Sequence, residues 1–214
     1  MSTIVIFARA PELGAVKTRL GKSIGDERAL ALYEAFVDDT CALTQGIGAR
    51  RVLAIAGDVD HPRVQHLAKS QRLAVEPQGE GDLGARMARA VAAHVATGPV
   101  VIIGSDAPTL PRARLHEALD ALMACDVVVG PSDDGGYYLI GARVAVPELF
   151  ADVRWSTPTV LETTLERLAG RAHALLAPWH DVDSEEDLAL LKRELAVLPP
   201  SVAPATRRVL GLAT

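Results

Sequence analysis

The chain has 214 residues, a formal net charge of −5 and two cysteines; 49% of its residues are hydrophobic and only 4% aromatic. That composition argues against disorder and leaves Val, Leu, Ile and Ala to fill the core of one α/β-sized domain. The acidic balance argues against a nucleic-acid partner, which would meet a basic face. Cys41 and Cys125 belong to no CxxC or Cys/His cluster, which argues against a structural zinc site.

In chain order, Thr3–Ala8 reads as a short β-branched strand. It runs into RAPELGAVKTRLG, a loop that gathers Arg9, Lys17, Arg19 and Lys22 around Pro11 and Gly14. Basic residues after the first strand of an α/β sheet suit a phosphate cradle; a solvated charged loop is the alternative. This loop after the first strand contains neither the P-loop pattern nor GxGxxG. The apolar start is too short for a membrane span and lacks a signal peptide's basic residues, so the chain reads as cytoplasmic, with no membrane partner.

Asp26–Leu43 follows as a helix, with Leu30, Tyr33, Phe36 and Val37 at helical spacing. Arg51–Ala56 is the second strand, Pro62–Lys69 a short helix, and Arg72–Glu76 a third, weaker strand. In QGEGDLGARMARAVAAHV, Leu83, Met87, Ala90 and Val91 share a helical face. Gly79, Gly81 and Gly84 at its start would let a ligand approach the free backbone N–H groups, or would simply form a turn.

Val100–Ile103 is an unbroken β-branched run between Gly98-Pro99 and Gly104. It reads as a strand buried on both faces of a parallel sheet. It delivers Asp106 past its C-terminal end, where open α/β sheets bind ligands. Asp106 equally suits a cap or turn before the helix Arg112–Met123. Asp126–Gly130 is the next strand. SDDGGYYLIG then places Asp133 and Asp134 before a strand at Tyr137–Gly141. The connection is too short for a helical crossover, so this strand should run antiparallel to its predecessor or lie away from it. VRWST carries Trp155 ahead of a helix at Pro158–Leu168, and Ala172–Leu176 is a last short strand. In DVDSEEDL, Ser184 and Asp187 have the spacing of a capping box, which leaves Asp181 and Asp183 unexplained. Residues 196–214 read as a tail that docks on the body or on a neighbouring subunit, which permits a homodimer without requiring one.

FARAPELGAVKTRL, GSDAPTLP, DDGGYYLIG and RWSTPTVLETT together resemble the nucleotide-diphospho-sugar transferase superfamily. Within it, the chain is similar to the small bacterial glycosyltransferase-like family that includes the arsenosugar-biosynthesis glycosyltransferase. The resemblance implies a single α/β domain over residues 1–195 with the Rossmann-like GT-A fold, a mixed and mainly parallel sheet flanked by helices, and a C-terminal tail at 196–214. It implies a transferase that uses Mg²⁺ or Mn²⁺, a nucleotide-sugar donor and a small-molecule acceptor. The molybdenum-cofactor and phospholactate guanylyltransferases share the fold and the GSDxP region, so nucleotidyl transfer from an NTP with pyrophosphate release is a second expectation. A non-catalytic nucleotide-binding protein is the third.

The resemblance also implies roles for residues. Arg9, Lys17 and Arg19 would hold the donor phosphates, with Ala8 and Gly14 in the same nucleotide-binding region. Gln78, Gly81, Leu83 and Gly84 would meet the base and ribose. Asp106 stands where the superfamily keeps its metal-binding acid, although Asp-Ala-Pro replaces the usual DxD, and Asp183 would supply the second metal ligand. Asp134, Gly135 and Gly136 would face the acceptor, with Trp155, Ser156 and Thr157 nearby. Asp106, Asp134 and Lys17 are the expected catalytic residues, with Asp134 as general base or acceptor orienter.

Overall fold

The computed structural model describes residues 1–212, so the last two residues of the expected tail lie outside the described residues. Seven strands form one sheet: β1 (Thr3–Arg9), β2 (Arg50–Ala56), β3 (Ala74–Pro77), β4 (Val100–Ile103), β5 (Val127–Pro131), β6 (Tyr137–Ala142) and β7 (His173–Leu175). Their spatial order is β3-β2-β1-β4-β6-β5-β7. Strand β6 pairs antiparallel with both β4 and β5, and every other pairing is parallel. The short 132–136 connection dictates this reversal, as the sequence predicts. It inserts β6 between β4 and β5, so β4 and β5 still run the same way.

The strands alternate cleanly. Ile4, Ile6, Leu53, Ile55, Val101 and Ile103 face one apolar cluster, and Val5, Val52, Val100 and Ile102 face another. Eight helices are described: α1 (Thr18–Ile24), α2 (Asp26–Leu43), α3 (Pro62–Gln71), α4 (Leu83–His94), α5 (Arg112–Ala121), α6 (Val160–Arg167), α7 (Glu185–Val197) and α8 (Pro204–Leu210). Tyr33, Val37 and Cys41 of α2 belong to the first cluster, with residues of α3 and α5; Met87 and Val91 of α4 belong to the second. None of these helices is long and apolar enough to cross a membrane.

Two helices differ from the sequence reading. Helix α1 lies within the expected basic loop. Its sequence, TRLGKSI, buries only Leu20 and Gly21 and has no apolar stripe. Its anchor is Leu20, which enters a third cluster with Leu32 and Phe36 of α2, Val182, and Leu188, Leu191 and Leu195 of α7. Helix α8 lies in the expected tail. It packs on α2 through the buried carboxylate of Asp39, which accepts hydrogen bonds from Ala205 N (2.9 Å), Thr206 N (2.8 Å) and Thr206 Oγ1 (2.7 Å). The Arg207 guanidinium, also buried, donates to the carbonyls of Leu195 and Leu198 (both 2.8 Å) and so ties α8 to the end of α7.

Asp39→Ala should lower stability by about 2–4 kcal/mol, because three charge-assisted bonds are lost and helical N–H groups are orphaned. Urea denaturation checks the loss, and amide exchange should accelerate first in residues 204–210.

Candidate active site

Three connections meet beyond the carboxyl ends of β1 and β4: residues 10–17 before α1, 104–111 after β4, and 176–184 before α7. One ammonium group joins them. Lys17 Nζ lies 2.5 Å from Asp106 Oδ1 and 2.7 Å from Asp183 Oδ1. The lysine side chain is 4% exposed, against 39% for Asp106 and 48% for Asp183. The cation is therefore enclosed, while both carboxylates reach solvent. The Phe36 ring of α2 sits 5.8 Å from Nζ, where its face favours a positive charge. Burial works against the ammonium, but the fields of Asp106 and Asp183 overcome it and hold its pKa above the ordinary lysine value. The Lys17 backbone is left-handed, at φ 46°, a conformation that costs a non-glycine residue about 1–2 kcal/mol. The two ion pairs offset that strain.

The acids are placed from the backbone upward. The apolar run of β4 delivers the 104–111 loop, in which Leu110 N donates to Ala107 O (3.0 Å) across Pro108. Asp106 O accepts from Val182 N (2.9 Å), which splices the two acidic segments together. Val182 is buried in the third cluster, and Asp181 and Asp183 flank it. The capping box of α7 holds Asp183 from the other side. Ser184 Oγ accepts from Asp187 N, and Asp187 Oδ2 accepts from Ser184 N (2.8 Å) and Asp183 N (3.0 Å). The box thus fixes the backbone of the residue that pairs with Lys17.

A cleft of about 760 Å³ opens beside this cluster, within the range of small-ligand and cofactor sites. Of the expected residues, it is lined by Ala8, Arg9, Lys17, Arg19, Gln78, Gly81, Leu83, Asp106, Ser156 and Asp183. Gln78 Nε2 donates to Ala8 O and Ala54 O, both at 3.0 Å, so both amide hydrogens are used. Leu83 is 43% exposed at the mouth of α4, an apolar surface beside a polar cleft.

Other expected residues support the cleft without lining it. Gly84 lies under it: a Cβ there would sit 2.6 Å from the Trp155 ring and against the Phe150 carbonyl. Trp155 packs there and meets the Tyr137 ring edge-on at 6.4 Å, while its indole N–H finds no hydrogen-bond partner among the described residues. Gly135 has φ 85°, and a Cβ would strike Pro158; its carbonyl accepts from Leu161 N (2.8 Å). The 132–136 loop is therefore docked on the start of α6. Asp134 Oδ1 accepts from Gly136 N (2.9 Å) and shapes that turn. Thr157 Oγ1 donates to Arg154 O (2.7 Å) within its own turn, and Gly14 takes a φ of 74° in the loop before Lys17.

Two residues of the site, Arg86 and Tyr33, are not singled out by the sequence, and a third, Asp181, is noted there without a role. Arg86, one turn into α4, lines the cleft with Arg9 and Arg19 and is tethered by Nε to Gly81 O (3.0 Å). Tyr33, read as a core position of α2, places its hydroxyl against Arg9 O (2.9 Å) and N (2.6 Å) and also lines the cleft. Asp181 lies in the field of four charged neighbours. Burial and the Asp106 charge, partly countered by Lys17 and reinforced by Asp183 and Asp134, push its carboxyl up to about 7.

The donor set fits a divalent cation of the Mg²⁺ type. Two half-exposed carboxylates face the cleft, each with one oxygen on Lys17. Among the described residues, no hydrogen-bond donor of the chain reaches the second oxygen of either. No group of three or more His, Cys, Asp or Glu side chains among the described residues forms a metal cage. Two carboxylates are a number with which a hard cation such as Mg²⁺ can be held alongside phosphate oxygens and water.

The sheet order, with the cleft at its carboxyl edge, is that of a GT-A-like, Rossmann-like α/β fold. The chain belongs to the family described as "Uncharacterized protein conserved in bacteria (DUF2064)", which matches residues 40–157. A structure from Desulfovibrio desulfuricans G20, provisionally assigned as a nucleotide-diphospho-sugar transferase, is 32% identical with a TM-score of 0.89. The alignment covers 98% of this chain and 94% of that one. A cytidylyltransferase from Leptospira borgpetersenii is 14% identical, with a TM-score of 0.62 and coverage of 98% and 93%. Glucosyl-3-phosphoglycerate synthase from Mycobacterium tuberculosis, in complex with Mn²⁺, UDP and glucosyl-3-phosphoglycerate, is 13% identical with a TM-score of 0.51; coverage is 100% and 81%. The last two likenesses concern the fold alone. No curated protein matches the chain.

Two outcomes follow. Gly84→Ala overpacks the contact with Trp155 and should cost about 1–3 kcal/mol, read by thermal denaturation. Asp181 has a folded pKa of about 7 against a reference of 3.8. In EDTA, folding should therefore lose stability as pH rises from about 4 to 7, where the unfolded chain ionises first. Asp181→Asn should flatten that fall; an unchanged pH profile would contradict the assignment.

Proposed function

We propose that the protein is a metal-dependent glycosyltransferase that transfers a sugar from a nucleotide-diphospho-sugar to the hydroxyl of a small acceptor. The observation that carries this reading is the pair of half-exposed carboxylates, Asp106 and Asp183, on one buried cation beside a nucleotide-sized cleft. The likeness to the Desulfovibrio protein over nearly the whole chain supports the class of reaction.

Asp106 and Asp183 would hold Mg²⁺ or Mn²⁺, which supplies charge neutralisation for a diphosphate leaving group. Arg9 and Arg19 flank the cleft on the β1 side and would bind the donor phosphates by charge-assisted hydrogen bonds. Arg86 faces them from α4 and would close the anionic site. Gln78, with its amide nitrogen fixed, and the exposed Leu83 would meet the base and ribose through an acceptor oxygen and an apolar face. Asp134 would orient the acceptor hydroxyl and take its proton, in a loop that Gly135 docks against α6.

A second reading is nucleotidyl transfer from an NTP. Its support is the third guanidinium: Arg86 with Arg9 and Arg19 gives the cleft enough positive charge for a triphosphate. The cytidylyltransferase likeness shares that fold. The two reactions differ in product.

Incubation with a panel of nucleotide sugars and NTPs, each with Mn²⁺ and an alcohol or sugar-phosphate acceptor, separates them. Free nucleoside diphosphate is expected, and pyrophosphate would move the assignment to nucleotidyl transfer. Asp106→Asn should reduce kcat/KM by on the order of 10²–10³-fold. Undiminished turnover in that variant would overturn the metal assignment.

A further inference from the structure

The cation that the two acids hold in this structure is the chain's own. Lys17 Nζ bridges Asp106 Oδ1 and Asp183 Oδ1 at 2.5 and 2.7 Å, the same pair of carboxylates assigned above to a divalent metal. A lysine that binds donor phosphates would present its ammonium to the cleft. This one is 4% exposed, while its partners are 39% and 48% exposed. Although Lys17 lines the cleft, its ammonium is engaged by the two carboxylates and backed by the Phe36 ring.

Two carboxylates held close together need a counter-ion whenever the metal is away, because like charges at that separation repel strongly. Lys17 is suited to supply that counter-ion reversibly. It sits at the N-terminal boundary of the seven-residue α1, with no side-chain cap, in a left-handed conformation that its ion pairs must hold. The preceding loop is anchored by the buried Ala10 and Val16, but its middle carries Gly14 at φ 74° and the exposed Leu13, so only that middle is lightly packed.

We propose that Lys17 is an exchangeable counter-ion. It holds Asp106 and Asp183 together in the metal-free protein, a divalent cation competes with it for the same oxygens, and metal binding releases the ammonium towards the donor phosphates. The inference rests on the metal assignment made above and goes beyond it. It makes the lysine a competitor of the metal before it is a ligand of the phosphates, and it couples loading of the site to the 10–17 loop.

The test is Mn²⁺ binding by isothermal titration calorimetry, without and with a nucleoside diphosphate, to the wild-type chain, Lys17→Met and Asp183→Asn. Removing the competitor should tighten Mn²⁺ binding by about tenfold or more, the equivalent of 1.4 kcal/mol. It should also make the Mn²⁺-induced rise in melting temperature larger than in wild type, because the unpaired acids of the variant gain a cation. Asp183→Asn should weaken binding. Equal or weaker binding by Lys17→Met, with normal binding by wild type, would overturn the exchange and leave the metal assignment standing. Failure of wild type to bind Mn²⁺ with or without nucleotide would remove the metal assignment and the exchange with it.

A second measurement needs no variant. Acylation of wild-type protein with an amine-reactive ester, read by peptide mass spectrometry, should label Lys17 poorly in EDTA. Labelling should rise severalfold in Mn²⁺ relative to the surface residue Lys22. Labelling of Lys17 that does not respond to Mn²⁺ would contradict its release.

Discussion

The enclosed ion pair of Lys17 with Asp106 and Asp183 is the constraint on which the rest of this molecule depends. It joins residue 17 to residues 106 and 183, and so joins the loops after β1 and β4 to the segment before α7. An isolated surface pair would contribute little. Here the ammonium is buried, so loss of both acids would leave a cation unbalanced at low dielectric, whereas the acids themselves reach solvent. The architecture around it can be understood as the means of keeping one cation and two acids in register. Strand β4 carries the first acid, the capping box of α7 fixes the second, and Tyr33 and Phe36 of α2 back the loop that carries the lysine.

That arrangement explains the third apolar cluster. The sheet needs only two, one on each face. The third contains Leu20, Phe36, Val182 and Leu188, each within a few residues of a member of the ionic cluster or directly behind one. It anchors a short polar helix and an acidic segment that could not order themselves. Helix α8 extends the support by joining α2 to α7 through Asp39 and Arg207. Stability laid down behind the carboxyl edge leaves the front of that edge open, where Arg9, Arg19 and Arg86 line the cleft.

Where the sequence speaks through short-range pattern, it is legible. Val100–Ile103 is a buried strand because nothing else accommodates four β-branched residues between two glycines. The 132–136 connection forces β6 antiparallel, and the capping box appears at Ser184 with both of its hydrogen bonds. Asp183 stands out because the capping box leaves it unexplained, whereas Asp106 suits a turn or cap equally and is singled out by its place past the end of β4 and by the family resemblance. Elements whose reason lies elsewhere in the chain are not legible. Helix α1 has no stripe of its own, since Leu20 gains its anchor from α2 and α7. Helix α8 is ordered by Asp39, more than 160 residues earlier. Lys17 looks like one more basic residue in a phosphate loop, because its spacing carries no trace of the acid 166 positions away. Arg86 is hidden for a simpler reason: an arginine on the polar face of an amphipathic helix is ordinary until the sheet order places that face over a cleft.

The carboxylate pair as the seat of a divalent cation is the central claim. Anomalous diffraction from crystals grown with Mn²⁺ and a nucleoside diphosphate addresses it most directly. The account predicts one manganese peak about 2.1 Å from oxygens of both Asp106 and Asp183, with Lys17 moved off them. A nucleotide bound in the cleft with no manganese at these two residues, or with Lys17 still bridging them, would contradict it.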